Sequence, residues 1–132
     1  MEVSTPFVYV GTWTIKPGKQ EEARKSLSDH ATFIKENEPR MIAFHVYFDE
    51  EGNKASVVQV HPDSASMELH MQLIAEHMGG AFEIIDTILT EQYYGSMSDA
   101  LSETLAKYES PEVVVTKMPV HTAGFTRSSA AP

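Results

Sequence analysis

The 132-residue chain contains no cysteine. That excludes disulfides, thiolate metal sites and cysteine nucleophiles, and leaves the redox compartment open. No run of about 18 apolar residues occurs, so no membrane-spanning helix is expected. Met1 to Pro6 lacks the basic and apolar blocks of a signal peptide, which makes a cytoplasmic protein the expectation. Positive charge is scarce: 10 Lys and Arg stand against 19 Asp and Glu, for a formal net charge of −9. This balance disfavours nucleic acid and anionic membrane as partners. Glycine pairs only at Gly79-Gly80, too few for a phosphate-cradling loop. No Gly-x-Ser-x-Gly elbow is present. The six histidines never fall in His-x-x-x-His or Glu-x-x-His spacing. Glu68 and His70 would sit about 200° apart on a helix, and His70 and His77 about 10 Å apart along it. No metal site is expected from these spacings.

What the chain does have is enough apolar residue, 42%, for one domain with a real core. Its most informative stretch is Arg40 to His70. Residues 40–49 and 54–61 read as two strands, joined by a three-residue loop, Glu50-Glu51-Gly52, with Gly52 in the left-handed position. That loop would place Asp49 opposite Asn53, Ala43 opposite Gln59 and His45 opposite Val57. Alternation along the strands then gives one apolar face: Ile42, Phe44, Val46, Phe48, Val58 and Val60. The other face, with Met41, Ala43, His45, Tyr47, Ala55, Val57, Gln59 and His61, is mixed. Such a face often meets another protein surface.

Upstream, Phe7 to Lys16 reads as a strand rich in β-branched and aromatic residues. Phe7, Tyr9, Gly11, Trp13 and Ile15 share one face. Both faces are substantially apolar, as expected of a central strand. Gly11 marks either a packing adjustment or a place where another group approaches closely. Lys19 to Asn37 reads as a helix with Ala23, Leu27, His30, Ala31 and Ile34 on its stripe, stopped by Pro39. Asp63 or Ser64 caps a second helix, from about Ala65 to Met78, ended by Gly79-Gly80. A short amphipathic piece is expected over 81–87 and a strand over 88–94. A short helix follows, capped by Ser98 or Asp99 and running to Lys107, with Leu101 and Leu105 inward. Val113 to Met118 forms a last strand, and the tail frays. This order gives an α+β fold: an antiparallel sheet with helices on one face. A homodimer pairing sheet against sheet would cover the mixed face.

Two segments resemble antibiotic biosynthesis monooxygenase-like (ABM) domains. One is Val10 to Lys19, ending Lys-Pro-Gly-Lys before an amphipathic helix. The other is His61-Pro-Asp-Ser-Ala-Ser-Met-Glu-Leu-His70. In that family a strand ends in an aromatic residue, usually Trp; an acidic cap follows two residues later, and a His nine residues later. His61 takes the aromatic position, Asp63 the cap, and His70 the helical His, with His77 resembling a second His further along. The resemblance covers about residues 7–95, a single ABM-like domain, with residues 96–120 as a C-terminal extension and 121–132 as a flexible tail. It implies a ferredoxin-like fold dimerised into an α+β barrel, with a small-molecule pocket between sheet and helices. It further implies an oxygenase of aromatic or polyketide-like molecules that needs no cofactor. Gly11 and His70 stand where haem-degrading members carry Asn and Trp, so haem degradation is not expected.

Within that frame His70 is the candidate catalytic base, since an imidazole near its ordinary pKa takes a phenolic or carbon-bound proton at neutral pH. Tyr9, Trp13 and Phe44 are candidate apolar walls, Tyr93 or Tyr94 a candidate hydroxyl, and His77 a further substrate contact. The alternatives are a non-catalytic small-molecule-binding or accessory protein, and an isomerase or cyclase using His70 for proton transfer. A His70 that only bonds the helix–sheet boundary would be structural.

Overall fold

A computed structural model of the chain describes residues 5–77 and 83–127; at His77 only the backbone is described. Strand β1 (Phe7–Ile15) leads to helix α1 (Gln20–Asn37), the hairpin β2 (Ala43–Phe48) and β3 (Lys54–His61), and helix α2 (Ser64–His77). Strand β4 (Ile85–Tyr94), helix α3 (Asp99–Ala106) and strand β5 (Val114–Met118) complete the order. The five strands form one sheet in the order β2-β3-β1-β4-β5. All neighbours are antiparallel except β4 and β5, which run parallel. The first four strands and first two helices make the ferredoxin-like α+β unit, and β5 extends its far edge. No helix among the described residues is long and apolar enough to cross a membrane.

The hairpin register differs by one residue from the sequence expectation. Phe44 pairs with Gln59, Val46 with Val57 and Phe48 with Ala55. The cause lies in the turn. Asp49 Oδ1 accepts hydrogen bonds from the amides of both Asn53 and Lys54, while Asp49 N donates to Lys54 O. The pair closing the loop is therefore Asp49 and Lys54, and Asn53 joins the loop as a fourth residue. Gly52 keeps its positive φ of 76°. The extra residue reverses β3 relative to β2. Ala55, Val57, Gln59 and His61 face the helices and are buried, whereas Val58 and Val60 lie on the other face.

The odd-numbered positions of β1, paired with the inward residues of β3, set the core. Phe7, Tyr9, Gly11 and Ile15 are buried beneath the helices, while Val8, Val10, Thr12 and Thr14 on the reverse face are only half-buried. Two apolar clusters divide the helix–sheet layer. One joins Phe7, Tyr9 and Tyr93 to Met67 of α2 and to Leu101 and Leu105 of α3. The other joins Ile15, Ala55 and Ile84 to Ala23 and Leu27 of α1. Each fully buried aliphatic or aromatic side chain contributes about 1.5–3 kcal/mol.

Helix starts follow local chemistry. Asp63 Oδ1 accepts from Ser66 N at the start of α2, and Ser98 Oγ accepts from Leu101 N at the start of α3. Ser98 also donates to Glu68, tying α3 to α2. Residues 85–87, expected in the amphipathic piece, instead extend β4, because they pair with Ile15 and Thr14 of β1. The expected stop at Gly79-Gly80 and the start of that piece lie outside the described residues.

Candidate functional site: a buried histidine relay beside an apolar cavity

His70 occupies the inward face of α2 and is buried, at 2% exposure. Its Nδ1 lies 2.9 Å from Glu38 Oε2, just beyond the C-terminus of α1. Its Nε2 lies 3.2 Å from Gln59 Nε2 on β3. The same Gln59 presents Oε1 to His61 Nε2 at 2.9 Å, and His61 Nδ1 lies 2.7 Å from Ser66 Oγ. One proton arrangement satisfies every link. Ser66 donates to His61 Nδ1, and His61 Nε2–H donates to Gln59. The Gln59 amide donates to His70 Nε2, and His70 Nδ1–H donates to Glu38. Three elements, the end of α1, β3 and α2, thus meet in one directional chain of buried polar groups.

This chain runs along the boundary between α1 and α2. His30 of α1 stands beside it, with its ring centroid 5.9 Å from that of His70 and edge-on to Phe44. His30 Nδ1 and Glu38 Oε1 are buried and have no hydrogen-bond partner among the described residues. Burial, reinforced by the neighbouring His70, lowers the pKa of His30 to about 4. Burial likewise lowers that of His61 to about 3. Both rings are held neutral by the cost of charging a desolvated group.

On its other side His70 meets a cavity of about 130 Å³ between the sheet, α2 and α3. Met67, Met71, Ile74, Ile88 and Leu105 supply apolar wall, and Gln59, His70, Tyr9, Tyr93, Glu91 and Tyr108 bring polar groups to it. Glu91 is buried on β4, and Tyr9 donates to its Oε2 at 3.0 Å. Tyr93, two residues along β4 on the same face, lies near the Glu91 carboxyl and favours its charged form. Burial raises the Glu91 pKa more than the two phenols lower it. Burial, with the nearby Glu91 charge, raises Tyr9 well above the usual phenol range and Tyr93 as well. Gly11 makes this arrangement possible. A Cβ at Gly11 would stand 2.1 Å from Tyr9 Oη, so the missing side chain is the space in which the Tyr9 phenol lies.

Of the residues singled out in the sequence, His70, Tyr9 and Tyr93 come together at this cavity. Trp13 packs instead against the cluster under α1. Phe44 lines grooves between α1 and β2. Tyr94 pairs with Val8 on the opposite face of the sheet. The His77 side chain lies outside the described residues. Three partners were not anticipated: Glu38, Gln59 and Glu91. Glu91 had a signal, because it is two residues from Tyr93 and therefore shares its face. Gln59 was hidden by the register. Glu38 carried no signal beyond preceding Pro39.

No family model matches the chain, and no curated protein matches it. Solved structures do. MupZ from Pseudomonas fluorescens superposes with a TM-score of 0.73 at 20% identity, over 98% of this chain and 100% of that one. A putative antibiotic biosynthesis monooxygenase from Bacteriodes thetaiotaomicron gives a TM-score of 0.58 at 16% identity, over 65% and 85% of the two chains. Rv0793 from Mycobacterium tuberculosis gives 0.58 at 11% identity, over 72% and 98%. The fold is that of the ABM-like proteins, and MupZ shares it over the C-terminal region as well.

Proposed function

We propose that the chain is an oxygenase-type enzyme that needs no cofactor and acts on an aromatic or polyketide-like small molecule held in the cavity beside His70. The observation that carries this is the junction of two features. An apolar cavity sits against a histidine whose tautomer is fixed by Glu38, with the Tyr9–Glu91–Tyr93 group on the same wall. Glu38 holds the proton on Nδ1, which leaves the Nε2 lone pair as the basic site. Gln59 occupies that lone pair at rest. A ligand displaces the amide and presents a phenolic or carbon-bound proton in its place. The resulting electron-rich anion is the species that reacts with oxygen, and the chain supplies the base, the orientation and a dry wall.

The same proposal includes a homodimer. Val8, Val10, Val58 and Val60 are half-buried on the sheet face that carries no described helix, with Tyr94 and Met118 beyond them on β4 and β5. A second copy packed face to face would remove this surface from water.

The test is oxygen uptake with a panel of phenols and enolisable polyketide mimics, on the wild type and on His70→Ala. Turnover in the wild type, lost in a folded His70→Ala, is the expected result. Turnover unchanged by the substitution would remove His70 from the chemistry. A second reading, a non-catalytic binding protein on the same scaffold, is favoured by the occupancy of both His70 nitrogens at rest. It predicts ligand retention, seen by native mass spectrometry, with no oxygen uptake.

A further inference from the structure

The geometry points to Glu91 as the ligand-anchoring group of the cavity, accepting the hydroxyl of a single-ring phenolic ligand whose ring packs among Met67, Met71, Ile74, Ile88 and Leu105. This deepens the proposal above and rests on it, since it names the group and the ligand class at the same cavity.

Three observations support it. The first is size. A cavity of about 130 Å³ is close to the volume, about 150 Å³, of an apolar protein cavity that takes up benzene. It matches one ring and not a fused set. The second is capacity. Both nitrogens of His70 have protein partners. A carboxylate offers about four acceptor positions, and Tyr9 takes one of those of Glu91. Of the two groups, Glu91 has acceptor positions to spare. The third is construction. The Glu91 carboxyl sits on an inward strand position normally given to an apolar side chain. Gly11, directly opposite it on β1, gives up its side chain so that the Tyr9 phenol reaches Glu91. The Tyr9 hydroxyl shows that this carboxyl already accepts a phenol in this environment. A ligand phenol is a further donor of the same chemistry. With Glu91 on that hydroxyl, His70 is left a second acidic proton of the ligand.

The ionised carboxylate accepts from the ligand more strongly than the neutral acid, because charge-assisted bonds are the stronger ones. Binding of a phenol therefore weakens as pH falls through the Glu91 titration. The groups facing it are Tyr9 from β1, Tyr93 from its own strand and His70 from α2. Beyond α3 come Tyr108 and Glu109, the latter paired with Lys117 of β5 at 3.4 Å.

The experiment measures binding of 4-fluorophenol and of fluorobenzene to the full chain by fluorine NMR, at pH 7.5 and 5. The wild type is expected to prefer the phenol by about tenfold at pH 7.5, the size of one charge-assisted hydrogen bond, and to show a smaller preference at pH 5. Glu91→Gln is expected to show a preference of about threefold or less at both pH values. Asp29→Asn, which changes an exposed carboxylate of α1 far from the cavity, is the control and is expected to keep the wild-type preference and its pH response. The wild-type pair of ligands decides the matter even if Glu91→Gln does not fold. Equal binding of the two rings, or a preference unchanged in Glu91→Gln, overturns the role of Glu91 and leaves the cavity intact. Failure of both rings to bind overturns it together with the small-molecule cavity itself.

Discussion

His70 Nδ1 and Glu38 Oε2, 32 residues apart in the chain, meet at 2.9 Å with both side chains buried. The contact joins the inward face of α2 to the residue that ends α1. Removing Glu38 leaves the Nδ1–H of a neutral, buried His70 without an acceptor, which costs about 1–3 kcal/mol, and adds a cavity where the side chain stood. Glu38→Ala is expected to lose stability of that order. Glu38→Gln keeps an acceptor for Nδ1–H and is expected to lose about 1–2 kcal/mol. Urea unfolding of the two variants checks the difference. Equal losses would mean that packing, and not the bond to His70, fixes Glu38.

Gly11→Ala is expected to displace the Tyr9 phenol from Glu91. The new Cβ would stand 2.1 Å from Tyr9 Oη and 2.7 Å from Tyr9 Cζ, so the ring has to move. Overpacking of this kind costs about 1–3 kcal/mol. In a Tyr9→Val background the conflict is absent, and the added methyl is expected to cost less than about 1 kcal/mol. A double-mutant cycle by chemical denaturation measures the coupling. A vanishing coupling energy would place the Tyr9 ring elsewhere.

Acid is expected to destabilise the fold from about pH 6.5 downward. His30 and His61 have folded-state pKa values lowered to about 4 and about 3. Between those values and 6.5 the unfolded chain binds protons that the folded chain does not, so stability rises with pH across this window. Each fully titrating histidine contributes a slope of about 1.4 kcal/mol per pH unit. Glu91, raised by burial, works in the opposite direction above its unfolded pKa and offsets part of the slope. Urea midpoints from pH 7.5 to 5 check the sum, and His30→Phe is expected to flatten the curve. A flat wild-type profile would mean that neither ring is held neutral.

The open face of the sheet is expected to be where two copies meet. Val10→Lys, with Val10 at the centre of that face between Val58 and Gln92, is expected to shift a dimer to monomer. Sedimentation velocity at micromolar concentration reads this directly. A wild-type monomer would rule out the face-to-face dimer.

Much of the architecture was legible in the sequence, because period-2 and period-3.6 patterns follow from local backbone geometry. Phe7 to Ile15 stood out by its β-branched and aromatic residues, the stripe of Ala23, Leu27 and Ile34 marked α1, and the pairs Asp63-Ser64 and Ser98-Asp99 held the caps of the next two helices. The site was half legible. Tyr9 and Tyr93 stood at inward strand positions, and the spacing from His61 to His70 resembled a known pattern. What the sequence could not decide was the partner of each polar group. One aspartate, Asp49, holding two amides in a turn, added a residue to the loop and moved Gln59 and His61 to the helix side. Glu38, Gln59 and Glu91 then met His70 or the tyrosines from distant parts of the chain. Local propensities are set by a few neighbouring residues and can be read along a line. A buried hydrogen-bond chain depends on register and on the approach of elements far apart in sequence, and only the packed tertiary structure fixes those.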